Sequence, residues 1–252
     1  MLALKDSEVH IWYRSSLLVT TNAQEIASQY LSIEERAHRD RLRFGDDRRD
    51  FTIAHDLLRR VLSNYGTRAP ADWQFVTDEY GKPTLESDDA QVQPLAFSLS
   101  HTRGCVACAI TTASAPLGID IERIGQLEDI QEIADRYFSD EEAAWLRECP
   151  DELRTVRFTE GWTLKEAFLK ATGVGLSGSL ANISFRFHEN ARIEFSTPPD
   201  IESDIWHFAL FEPDRDVRVG VAIQSTTQPC FLMRQDDGDG SMLAPILKSS
   251  LR

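Results

Sequence analysis

The chain has 252 residues, 42% hydrophobic and 27% charged, which is enough apolar material for a sizeable core and too polar for a membrane protein. Its 27 Lys and Arg stand against 41 Asp and Glu, a formal net charge of −14. That surplus disfavours sequence-independent nucleic-acid binding, which draws its energy from neutralising phosphates with basic side chains.

No apolar run reaches spanning length, and the opening MLALKDSEVH lacks a secretory pattern, so the chain reads as cytoplasmic with no membrane partner. Taken in order, Val9-His10-Ile11-Trp12-Tyr13 reads as a strand. Ser32, with Glu35 three residues on, has the capping-box pattern of a helix start. Arg36, Arg39, Arg41, Arg43, Arg48, Arg49, Arg59 and Arg60 crowd one short stretch, so a local anion site survives the acidic total. The segment from Phe51 is helical, with Leu57, Leu58, Val61 and Leu62 at three- and four-residue spacing. Tyr80-Gly81-Lys82-Pro83 is a turn sequence presenting a lysine between strands. The strand FSLS ends in Ser100-His101, with Thr102, Arg103 and Gly104 in the following turn. A histidine there is commonly a surface residue, but beside the arginines it is also suited to hold a phosphate. In the apolar strand CVACAI, Cys105 and Cys108 point to opposite faces and no second pair exists. Packing is therefore preferred to zinc or redox chemistry.

From residue 117 the pattern begins again. Val9–Tyr13 matches Leu117-Gly118-Ile119-Asp120-Ile121 at an offset of 108, and Tyr30–Glu35 matches Tyr137–Glu142 at 107. Phe51-Thr52 matches Phe158-Thr159 at 107, and the later strands match at 110 to 113, as small loop insertions would make them. Each half reads as strand, helix, helix, then three strands. The expected fold is α+β, with two similar subdomains, 1–116 and 117–227, related by a pseudo-two-fold axis and a functional cleft at their interface. Residues 228–252 have no counterpart, and the run from Asp236 to Gly240 lacks the spacing of a calcium loop, so this stretch reads as a mobile tail.

Divergence between the halves points to added chemistry. Trp12 becomes Asp120, Arg14 becomes Glu122, Arg59 becomes Glu166 and Ser63 becomes Lys170. On LGIDIE, strand alternation projects Asp120 and Glu122 from one face beside Gly118, which has no side chain. On WTLKEAFLK, Glu166 and Lys170 share a helix face, with Lys165 next door. Three carboxylates suit Mg²⁺, which keeps several waters and binds substrate phosphates. A solvated strand end and an ordinary helix salt bridge explain the same residues, and on spacing alone those readings come first. The glycines of Gly173-Val174-Gly175-Leu176 read as a helix C-cap.

Gly118-Ile119-Asp120-Ile121-Glu122, followed by Trp162-Thr163-Leu164-Lys165-Glu166-Ala167-Phe168-Leu169-Lys170, with Gly81-Lys82-Pro83 and Ser100-His101 upstream, closely resembles the Sfp-type 4′-phosphopantetheinyl transferase family. The resemblance covers about residues 9 to 225. It implies a Mg²⁺-dependent enzyme that moves the 4′-phosphopantetheine of coenzyme A to a serine of an apo acyl or peptidyl carrier protein, releasing adenosine 3′,5′-bisphosphate. It further implies Asp120, Glu122 and Glu166 as metal ligands, Glu166 and Lys170 as catalytic residues, and Lys82, Ser100, His101, Lys165 and Lys170 as coenzyme contacts. At the N-terminal 3′-phosphate site, Glu35 and His38 replace a lysine-bearing motif, and the helix arginine falls at Arg48 or Arg49, of which Arg49 is carried over. The expected state is a monomer. A Mg²⁺-dependent nuclease of the D…E-x-K kind would need Lys at position 124, which is Ile124. A carrier-binding protein without activity is the other alternative, against which the three carboxylates and Lys170 speak.

Overall fold

The structure is a computed structural model that describes residues 2–77, 82–86, 94–112, 115–125, 129–173, 180–198, 205–236, 242–243, 245 and 247–248. Gly81 of the lysine turn, positions 174–176 of the glycine turn and Asp237 to Gly240 lie outside the described residues. The chain divides into two units, Met1–Ser114 with Cys230–Leu243, and Ala115–Pro229 with Ala244–Arg252.

In the first unit, strand β1 (Glu8–Ser15) alternates so that Val9, Ile11 and Tyr13 are fully buried on one face. Three helices follow: α1 (Thr21–Tyr30), α2 (Ile33–Arg41) and α3 (Gly45–Ser63). A hairpin, β2 (Phe75–Thr77) and β3 (Pro83–Leu85), precedes β4 (Ala96–Thr102) and β5 (Cys105–Thr111). β5 lies antiparallel between β1 and β4. The apolar stripe of α3, with Ile53, Leu57 and Val61, packs with Val106, Cys108 and Ile110 of β5. Cys105 is on the other face of β5, its Sγ 3.6 Å from the Tyr13 hydroxyl, and the four cysteines are thiols rather than disulfides.

The second unit repeats this order: β6 (Leu117–Arg123), α4 (Ile130–Tyr137), α5 (Asp140–Glu148), α6 (Asp151–Thr172), the hairpin β7 (Ser184–Phe187) and β8 (Ile193–Ser196), then β9 (Trp206–Phe211) and β10 (Val217–Gln224). β10 lies antiparallel between β6 and β9, as β5 lies between β1 and β4. A short 3₁₀ turn, Pro70–Asp72 or Leu180–Asn182, precedes the hairpin in each unit. The fold is α+β. Among the described residues each half carries three helices and four later strands, one of each more than the pattern of the sequence suggests. The missed helix in the first half, TNAQEIASQY, buries only Ala27 and so lacks an apolar stripe to announce it.

The mobile-tail expectation is corrected for residues 230–235. Cys230–Gln235 forms β11, parallel to β1 from Glu8 opposite Cys230 to Tyr13 opposite Gln235. Phe231 and Met233 are buried, the alternation of a half-buried strand. Met242–Leu243 (β12) pairs with β11, and Leu247–Lys248 (β13) pairs with β9 in the second unit. Among the described residues no helix is long and apolar enough to cross a membrane.

Candidate active site

The second unit brings strand and helix together by omitting side chains. Helix α6 packs on β6 and β10, and a Cβ on Gly118 would lie 1.9 Å from the Ala167 carbonyl oxygen. Gly220, opposite Asp120 on β10, plays the same part beneath Thr163, whose carbonyl oxygen would be 2.9 Å from an added Cβ. The face of β6 that carries Gly118 also carries Asp120 and Glu122, so close helix packing delivers the helix side chains to those carboxylates.

Asp120 is only 4% exposed, and its Oδ1 accepts a hydrogen bond from Lys170 Nζ at 2.6 Å. Lys170 thus reaches across from helix to strand, a pairing that the helix spacing alone does not reveal. Glu166 lies one turn earlier on α6. Burial pushes its carboxyl above the ordinary value and the Asp120 charge adds to that, while Lys170 pulls the other way. Two carboxylates and one ammonium therefore share a partly buried space with a net negative charge. Glu122 is half-buried on the same strand face. Its register partner Arg218 pairs with Glu160 at 3.3 Å and Glu212 at 3.1 Å.

Among the described residues no group of three or more His, Cys, Asp or Glu side chains is gathered as a metal-binding cluster. Mg²⁺ does not require one, since it is commonly held by one or two carboxylates and completed by water and substrate phosphates. Asp120 and Glu166 supply hard oxygen donors whose mutual repulsion a cation relieves, and they fit such an ion.

Lys165 sits elsewhere. It is 0% exposed, and its ammonium donates to the carbonyl oxygens of Leu180 (2.8 Å) and Ile183 (2.5 Å) and pairs with Glu142 (2.8 Å). All three ammonium donors are engaged in the interior, so the expected coenzyme contact is corrected to a structural one. The same holds for Arg59, expected to contrast with Glu166 as phosphate-binding charge. It is 1% exposed and is bound to Glu35 and to the carbonyl oxygens of Pro70 and Trp73.

In the first unit a groove of about 700 Å³ is lined by His38 of α2 and Leu42 just after it, Phe44, Asp46, Asp50 and Phe51 around the start of α3, and His101 to Arg103 at the end of β4. The ring of His38 stacks on Phe51 at 5.0 Å. Asp50 builds the adjoining wall: it accepts from Ser16 Oγ (2.5 Å) and from the Gly104 amide (2.9 Å), pinning the β4–β5 turn. Gly104 has φ +83°, a conformation that favours glycine. Arg49 donates to Asp46 at 2.8 Å and to Asp50 at 3.1 Å, both of which line this groove. Arg48 donates to the carbonyl oxygens of Leu42 and Arg43, closing the end of α2. Both arginines thus bind residues that line the groove. Ser100 is buried one residue before His101, and Lys82, half-buried, precedes β3. The groove's Phe44 and Asp46 were missed from sequence, where no motif or periodicity singles them out.

The model of the 4′-phosphopantetheinyl transferase superfamily matches residues 116–222. The 4′-phosphopantetheinyl transferase HetI of Nostoc sp. (strain PCC 7120 / SAG 25.82 / UTEX 2576) is 32% identical over 88% of this chain and 90% of its own length. The 4′-phosphopantetheinyl transferase Sfp of Bacillus subtilis (strain 168) is 33% identical over 67% of this chain and 72% of its own. A solved holo-(acyl-carrier-protein) synthase from Bacillus anthracis str. Ames aligns with 46% of this chain and all of its own at 19% identity, with a TM-score of 0.39.

Proposed function

Because the chain belongs to the 4′-phosphopantetheinyl transferase superfamily, we propose that it moves the 4′-phosphopantetheine group of coenzyme A to a serine of an apo acyl or peptidyl carrier protein. The observation that carries the reaction is the meeting of Asp120, Glu166 and Lys170 in one partly buried space. The serine oxygen forms a bond to the β-phosphorus as the bond from that phosphorus to the adenosine 3′,5′-bisphosphate oxygen breaks. Glu166 takes the serine proton, directly or through a water. Lys170 meets the charge growing on the departing oxygen, an interaction strongest in the transition state. Asp120 holds Lys170 in place through the 2.6 Å hydrogen bond.

Mg²⁺ would be held by Asp120 and Glu166, with Glu122 on the same strand face, and when bound would neutralise pyrophosphate charge and orient it. In the first unit, Lys82, Ser100 and His101 would contact the nucleotide end, with Arg49 and His38 toward its phosphate. The protein is taken to act as a cytoplasmic monomer. The test is incubation of the full chain with coenzyme A, Mg²⁺ and an apo carrier protein, read as a mass gain on the carrier serine. A carrier that is bound but never modified would favour the inactive carrier-binding reading, and strand cleavage of added DNA the nuclease.

A further inference from the structure

A buried lysine is costly unless its charge is paired and all its protons are bonded. Lys165 meets both conditions, held by Glu142 and by the carbonyl oxygens of Leu180 and Ile183. Glu142 in turn accepts from the Ser139 amide, closing the capping box of α5, and from the Phe185 amide on β7, both at 2.9 Å. One carboxylate thereby joins the start of α5, strand β7 and the middle of α6. On α6, Thr163 and Ala167 carry the carbonyls that press on the glycines of the sheet. At 3.6 residues per turn, Lys165 points away from that contact and its neighbour Glu166 lies on the flank with Lys170. The helix is gripped from two sides, by glycine contacts against the sheet and by the lysine cage opposite.

We propose that the Glu142–Lys165 pair is a positioning device, fixing the rotation and height of α6 so that Glu166 and Lys170 meet Asp120. A buried ion pair stabilises a fold no better than apolar side chains of the same volume, so what it adds here is geometry. The first unit contains the same construction. Arg59 donates to Glu35, itself the capping-box glutamate of α2, and to the carbonyl oxygens of Pro70 and Trp73. Pro70 and Leu180 each open the 3₁₀ turn of their unit. The cage thus recurs, filled by a guanidinium in one unit and an ammonium in the other. Only in the second unit does the residue after the caged cation face the reacting groups.

This inference rests on the transferase reading, and its test separates the two. Lys165→Met, Glu142→Gln and their double variant are assayed as full chains with coenzyme A and an apo carrier protein, well below their melting temperatures. The expected result is a fall in kcat of about 10- to 10²-fold with KM for coenzyme A changed less than about threefold, since a small misplacement of reacting groups is costly in rate. The double variant should lose no more than the worse single one, and Lys165→Arg, which restores the cation that Arg59 shows such a cage accepts, should recover most of the rate. Folded Lys165→Met protein with kcat within twofold of the unaltered chain would overturn the proposal. Should that variant fail to fold, Glu142→Gln carries the same comparison. If the unaltered chain transfers nothing, the transferase reading fails instead. Hydrogen exchange then decides the cage: amides 166–170 must exchange faster in Glu142→Gln, and unchanged rates there would refute it.

Discussion

Lys170 donates to Asp120 from a side chain that is one-third exposed, so two roles predict different numbers. As an ion pair near the surface it is worth about 0.2–1 kcal/mol to stability. As the group that meets the leaving oxygen, its loss in Lys170→Met should cost about 10²–10³ in kcat with little change in KM. Steady-state kinetics beside a thermal melt distinguish them, and near-normal kcat would return Lys170 to structure. Glu35 offers a pH test. Burial pushes its carboxyl up, but the hydrogen bond and charge of His55, the Ser32 amide and Arg59 outweigh this and hold it at about 2, against an ordinary value of 4.5. The stability it supplies is complete above pH 4.5 and is lost as pH falls toward 2. Glu35→Gln should therefore unfold more easily by about 3–5 kcal/mol at pH 7, as expected for a broken buried pair, and the gap should narrow steadily below pH 4.5 in urea titrations. Asp120, Glu166 and Lys170 stand out in the sequence because charged residues replace neutral or opposite ones across the repeat. Lys165 and Arg59 misled because charge in a sequence does not disclose whether it faces water or a cage of carbonyls.

Between β6 and α6 the absent side chain of Gly118 sets the separation. Gly118→Ala would place a methyl 1.9 Å from the Ala167 carbonyl oxygen, and helix backbone has no rotamer with which to yield. We expect this variant to be insoluble or to melt far below the unaltered chain, and any folded fraction to lack transfer because Asp120 and Lys170 are pushed apart. Differential scanning calorimetry with a parallel activity assay reads both; a variant melting like the unaltered chain would show that α6 can shift freely. The capping boxes at Ser32 and Ser139 were readable from sequence and are formed, since the pattern encodes its own hydrogen bonds. Strand β11 was not, although Phe231 and Met233 alternate within it. It lies outside the repeat, and its partner β1 is distant in sequence, so nothing local names the pairing.

The chain passes from the first unit to the second, returns with β11 and β12, and ends in the second with β13. Shortening it after residue 229 would strip two strands from the first sheet and one from the second. Asp236, which pairs with Arg14 at 3.5 Å and Arg60 at 3.3 Å, would go too, leaving both arginines with one charge partner fewer. The expected outcome is a truncated protein that melts well below the full chain or precipitates, checked by circular dichroism; an equally stable product would mean that these strands are ornamental.

Pairing of Glu8 with Cys230 also orders events during synthesis. The ribosome delivers β1, β4 and β5 early, then every strand from β6 to β10, and only afterwards the segment that covers the other side of β1. While the second sheet is being made, the first keeps a bare edge, and a bare edge is a template for any passing strand. The nascent chain is therefore most open to mispairing at β1, and a pause in translation anywhere from residue 124 to 229 lengthens that exposure.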